Sequence, residues 1–225
     1  MERYMYKAGI DTMDIIVQDE SIKELKELIE LDKNSILKAI NKVKTGKIKG
    51  LENPILVVQP SNFIDHTELC NYTDFKNTIK VLLTDVNLCQ YSGVNRIDIA
   101  FDFKKELKDM EKMATFITFA IGKSKKHKDM DYLKLVDLKT AETKNIKLEI
   151  SHNFEHVFYD RTDKQIQRGH KSKTRMEIRY KYTQEVGSLD LICNKYLKNT
   201  MKMYRDLYKQ LPSVENELAK ILLRL

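Results

Sequence analysis

The run Arg96-Ile97-Asp98-Ile99-Ala100-Phe101-Asp102-Phe103 constrains what this chain can fold into more than any other segment. Side chains alternate between the two faces of a strand. Ile97, Ile99, Phe101 and Phe103 therefore share one face, and Arg96, Asp98, Ala100 and Asp102 share the other. The first face reads as core. The second holds two carboxylates two residues apart, with only an alanine between them. Like charges that close raise each other's pKa unless a cation sits between them, either a divalent metal or an arginine. A half-exposed strand with a solvated polar face is the other reading of the same pattern.

A chain of 225 residues can bury a real core, as one large domain or as one domain with an appendage. Met1 to Lys7 contain no apolar run of the kind that marks a signal peptide. The longest apolar stretches, such as Ile55–Val58, are too short to span a bilayer, so no membrane partner is expected. Cys70, Cys89 and Cys193 are widely spaced and form no CxxC. That pattern predicts reduced thiols in a cytoplasmic protein, without a disulfide framework or zinc site.

The formal charge of +7 and the sequence pI of about 9.1 favour polyanionic partners. The charge is unevenly placed. Lys123, Lys125, Lys126, His127 and Lys128 form one cluster. Arg161, Lys164, Arg168, His170, Lys171, Lys173, Arg175, Arg179 and Lys181 form a richer one. Either cluster could be a solvated loop. The second has few acids and flanks two predicted strands, which favours a phosphate-binding surface.

Periodicity predicts a first strand over 9–17 and a helix opening at Glu20-Ser21. A second helical stretch runs through Ile36, Leu37, Ile40 and Val43, followed by a turn at Gly46–Gly50 and a short strand over 54–59. Thr73-Asp74 resembles an N-cap for a helix with Phe75, Ile79, Leu82, Leu83 and Val86 on one face. The Asp98/Asp102 strand precedes a helix presenting Leu107, Met110, Ala114, Ile117 and Ile121. Strands are predicted over 132–139, 146–151, 154–160 and 174–182, with 162–173 as a polar loop. Helix returns beyond Ser188, with a break at Pro212 and a terminal helix from Ser213. The sum is an α+β fold, a mostly antiparallel central sheet backed by helices with a helical C-terminal extension. Residues 1–187 are expected as the main domain and 188–225 as the extension.

A second signal lies in the strand pair around the basic loop. In Thr174–Lys181, Arg175, Glu177, Arg179 and Lys181 share one face. A carboxylate between two arginines is a structural ion-pair ladder or a carboxylate held ionised beside phosphate-gripping guanidiniums. In Phe154–Asp160, Tyr159 lies on the face of Glu155 and Arg161.

Four segments in order, Ile10-Asp11-Thr12-Met13, Arg96–Asp102, Phe158-Tyr159-Asp160-Arg161 and Arg175-Met176-Glu177-Ile178-Arg179, resemble the replication initiation proteins of rolling-circle plasmids and related mobile elements, the replication initiation factor or Rep-trans family. The matched motifs span most of the chain but cover few of its residues. The resemblance implies a metal-dependent DNA nickase acting on single-stranded or extruded origin DNA, with host replication proteins as further partners and room for a homodimer. It implies Tyr159 as nucleophile and Asp98, Asp102 and Glu177 as ligands of Mg²⁺ or Mn²⁺. Arg175 and Arg179 would hold the DNA backbone, and Arg161, Lys164, Arg168, Lys171, Lys173 and Lys181 would join them.

The chain departs from the pattern in two ways. It has no His-apolar-His metal motif, and Arg161 stands where the family usually has lysine. His156 is kept as an alternative ligand, and Tyr180 and Tyr182 as competing nucleophiles. Two rival readings stand beside the nickase: a catalytically inactive DNA-binding or protein-interaction descendant, and an unrelated basic α+β protein.

Overall fold

The computed structural model describes residues 5–17, 27, 39–48, 51–59, 69, 72–85, 91–125, 131–161 and 173–209. Along the chain these form β1 (Met5–Val17), β2 (Ile40–Ile48), β3 (Leu51–Val58), α1 (Tyr72–Asp85), β4 (Tyr91–Phe103) and α2 (Leu107–Lys125). There follow β5 (Asp131–Val136), β6 (Thr143–Ser151), β7 (Phe154–Asp160), β8 (Thr174–Glu185) and α3 (Leu189–Lys209). The strands make one eight-stranded sheet in the order β2-β3-β1-β4-β8-β7-β6-β5, the α+β architecture the sequence predicts. No described helix is long and apolar enough to cross a membrane.

One prediction fails at β2. Ile40 and Val43 fit a helical spacing, yet they lie in a strand that pairs Ile40 with Val58 and Val43 with Leu56. Gly46 continues that strand opposite Asn53 instead of opening a turn. A short apolar run fits either period, and here the ladder with β3 decides. The predicted helix from Glu20, the loop over 162–172, Cys70, Cys89 and the terminal helix from Ser213 lie outside the described residues.

The chain divides into two compact units, one of residues 9–99 and 180–194, the other of 1–8, 100–179 and 195–225. In the first, β3 is sandwiched between β1 and β2, with Met13 opposite Val58 and Ile15 opposite Leu56. Phe75, Ile79 and Leu82 are the buried stripe of α1. Gly93 is required by close approach, because a Cβ there would sit 2.3 Å from the carbonyl oxygen of Glu185. That obstacle is backbone and cannot swing aside. Gly93→Ala is therefore expected to cost about 1–3 kcal/mol, read as a lowered urea midpoint at unchanged slope.

In the second unit, α2 packs on β6 and β7. The register sets Ile146 opposite Phe158 and Leu148 opposite His156, all four buried. Tyr204 of α3 is also buried, its ring edge-on to Phe101 at 5.6 Å and its hydroxyl donating to Met176 Sδ at 3.1 Å. His156 is the odd member of this core. Its Nδ1 lies 3.4 Å from Thr118 Oγ1, its ring meets Phe158 edge-on, and burial pushes its pKa down to about 3. The folded state thus keeps the imidazole neutral while the unfolded chain protonates below about pH 6.5. The stability from this site is complete above that pH and is lost as pH falls toward 3, by up to about 1.4 kcal/mol per pH unit. Urea midpoints taken from pH 7 to 4 should decline along that course, and His156→Leu should decline less steeply.

Candidate functional site

The polar face of β4 is buried, which overturns the solvated reading. Asp98 and Asp102 are each 1% exposed. A buried carboxylate needs a partner, and each aspartate has an arginine. Arg96 grips Asp98 with Nε at 2.8 Å and Nη2 at 2.5 Å. Arg175 from β8 grips Asp102 with Nε at 2.6 Å and Nη2 at 2.8 Å, and Nη1 of Arg161 stands 3.5 Å from the same carboxylate.

A second cluster joins β8 to β7. The Tyr159 hydroxyl donates to Glu177 Oε1. Arg179 donates through Nε to Glu177 Oε2 at 2.8 Å and through Nη1 to Glu155 Oε1 at 2.8 Å. Lys147 of β6 lies 2.9 Å from Glu149 and 3.5 Å from Glu155. Its pKa is raised, chiefly by the hydrogen bond to Glu149. A phenol is thus seated on a buried carboxylate whose other oxygen faces a guanidinium.

The predicted site residues fall into three groups. Tyr159 and Glu177 are in direct contact. Asp98 is held by Arg96, both in the unit of residues 9–99 and 180–194. Asp102 is paired with Arg175. The buried Asp11 carboxylate accepts the Thr12 hydroxyl at 2.9 Å.

The guanidiniums of Arg175 and Arg179 are engaged by carboxylates, and Lys173 binds Glu106 at 2.8 Å. The Lys173 backbone also joins Phe103 to Arg161, through bonds of 2.8 and 2.7 Å. Lys181 is half-buried on β8, while Lys164, Arg168 and Lys171 lie outside the described residues. His156 lies on the α2-covered side, among Thr118, Leu148 and Phe158. Tyr180 is buried, and Tyr182 is 60% exposed at a positive φ of 51°. The Cys193 thiol is buried and pushed up to about 12, mainly by desolvation, so it is not a reactive thiolate.

Oxygen donors suit Mg²⁺ or Mn²⁺. Of the predicted ligands in the second unit, Glu177 contacts Tyr159 and shares its other oxygen with Arg179, whose side chain is 25% exposed and has solvent to turn into. Both oxygens of Asp102 are taken by Arg175.

No family model matches this chain, and no curated protein matches it. Among solved structures it is similar to a rolling circle replication initiator protein from Geobacillus stearothermophilus, at 13% identity and a TM-score of 0.37, over 79% of this chain and 75% of that one. A likeness at this level leaves the functional reading to the chain's own residues.

Breaking the Asp102–Arg175 pair tests how the site is held. Arg175→Ala strands a buried carboxylate and is expected to destabilise the fold by about 3–5 kcal/mol. Replacing both partners, Asp102→Leu with Arg175→Met, should recover most of that loss. Both effects are read from denaturant unfolding.

Proposed function

We propose that the chain is a replication-initiator-like DNA-binding protein that nicks single-stranded or extruded DNA through Tyr159 with the help of a divalent metal. The contact between the Tyr159 hydroxyl and the buried Glu177 carboxylate carries this reading. A phenol is a poor nucleophile at its free pKa near 10, and a carboxylate in hydrogen-bond contact can take its proton as it attacks.

In the reaction, the Tyr159 oxygen forms a bond to phosphorus and its proton passes to Glu177 Oε1. The bond from phosphorus to the 3′-oxygen breaks, and the leaving oxygen takes a proton from solvent. The products are a 5′-phosphotyrosine and a free 3′-OH that host replication proteins could extend. Mg²⁺ or Mn²⁺ held by carboxylates, Glu177 among them, would polarise the scissile phosphate and stabilise the charge that develops on it. Arg161, Lys173 and Lys181, with Lys164, Arg168 and Lys171 of the basic segment, supply the cations that attract the DNA backbone.

One observation favours a second reading, a DNA-binding descendant that does not cut. Both β4 aspartates are already neutralised by arginine. On that reading the carboxylates are structural and affinity comes from phosphate contacts alone, falling steeply with salt.

Incubation with a mixed-sequence single-stranded DNA library and Mn²⁺, followed by denaturing electrophoresis, separates the two. The nickase reading expects a covalent protein–DNA band in the wild type that is lost in Tyr159→Phe and Asp98→Ala. Glu177→Gln is expected to slow its formation by about 10²–10⁴. Salt-sensitive binding without a band, in any metal, supports the non-cutting descendant. A band that survives in Tyr159→Phe moves the nucleophile elsewhere.

A further inference from the structure

Tyr182 has no part in the reaction at Tyr159, yet its setting is unusual. It is 60% exposed near the end of β8, with a φ of 51°. Gln184, two residues on, is also exposed and has a φ of 46°. A bulky side chain rarely adopts this left-handed region, because its Cβ crowds the carbonyl that follows. Such backbone persists only where the surroundings hold it, and it concentrates at ligand clamps.

The holding contacts come from β4. Between the two residues, the Thr183 hydroxyl donates to Val94 O at 2.7 Å. Beyond them, Glu185 passes so near Gly93 that a Cβ there would lie 2.3 Å from its carbonyl oxygen. All of these residues belong to the unit of residues 9–99 and 180–194. β4 therefore fixes β8 on both sides of Gln184 and directly after Tyr182. The outcome is an aromatic side chain held out in solvent on a backbone that cannot relax.

The chemistry of this surface selects its occupant. The Tyr182 ring offers a π-face, and the Gln184 amide both donates and accepts hydrogen bonds. Lys181, half-buried beside Tyr182, adds a cation in a chain of net charge +7. Val186, 69% exposed just past the strand, widens the apolar ledge. A π-face, an amide and a cation are the groups that an unstacked nucleobase and its phosphate engage.

We propose that Tyr182 is a stacking platform for a base of single-stranded DNA, with Gln184 at the base edge and Lys181 toward the phosphate. This role rests on the proposed DNA binding and needs neither a metal nor a covalent step. Stacking is tolerant of sequence, since every base has a π-face. The strained backbone sets the ring in place before DNA arrives, so little order remains to be imposed on binding.

Fluorescence anisotropy on the full chain, without divalent metal, tests this. The probes are a labelled oligothymidylate of about 16 nucleotides and an abasic strand of equal length. The wild type is expected to prefer the strand with bases. Tyr182→Ala should weaken that binding by about 5- to 150-fold, leaving the abasic affinity and the salt dependence unchanged. Tyr182→Phe should bind as the wild type does, because stacking needs no hydroxyl. Should Tyr182→Ala fail to fold, Tyr182→Gly suits the positive φ and should show the same loss. Equal wild-type affinity for the two strands overturns the proposal, as does undiminished binding in Tyr182→Ala or Tyr182→Gly. So does a loss in Tyr182→Phe as large as in Tyr182→Ala. In each of those cases DNA binding itself stands. A wild type that binds neither strand removes the platform and the DNA reading together, and leaves this surface to a protein partner.

Discussion

An ionised carboxylate buried inside a sheet needs a cation or hydrogen-bond donors beside it, and the pairing of Asp102 with Arg175 meets that need in full. Both oxygens of the aspartate and two nitrogens of the guanidinium are used, in parallel bonds of 2.6 and 2.8 Å. The same solution recurs nearby, where Arg179 divides its nitrogens between Glu177 and Glu155. A single unpaired ion at this depth would cost several kcal/mol. Remove one guanidinium and the polar face of the strand can no longer be covered.

These pairs also fix register. Arg175 ties β8 to the end of β4, while Arg179 and Tyr159 tie β8 to β7. A one-residue slip of β7 would turn Tyr159 and Glu155 toward α2 and expose Phe158 and His156 in their place. The apolar ladder of Ile146 with Phe158 opposes that slip from one face, and the ion pairs oppose it from the other. Tyr159 is positioned by the strand that carries it, and the strand is positioned by charges on either side.

Much of this was legible in the sequence. Strict alternation over 96–103 and 174–181 revealed both strands and both polar faces, and it put Tyr159 on the side of Glu155 and Arg161. Alternation does not say how deeply a face is covered. The solvated reading of Asp98 and Asp102 fell because burial depends on what packs above a strand, which the strand's own residues do not encode. Partner choice was hidden for the same reason. Asp102 and Arg175 are 73 residues apart, and no local spacing announces that they meet. At Ile40 and Val43 the apolar spacing suited a helix, and only the ladder with β3 shows that it is a strand.

The charge balance along β7 bears on what Tyr159 could act upon. Toward its C-terminal end, Arg161 and Arg175 face the one carboxylate of Asp102, so positive charge is in excess. In the other direction, Glu149, Glu155 and Glu177 are met by Lys147 and Arg179, so negative charge is in excess. Tyr159 stands between the two, its hydroxyl on the acidic side. A phosphodiester laid over the phenol would be attracted at the Arg161 end and repelled at the Glu177 end. A cation bound at Glu177 would cancel that repulsion and place positive charge where the phosphate must approach. In the proposed nicking reaction, the polarity of this one strand is a reason for a metal to assist Tyr159, although arginines already neutralise the neighbouring aspartates.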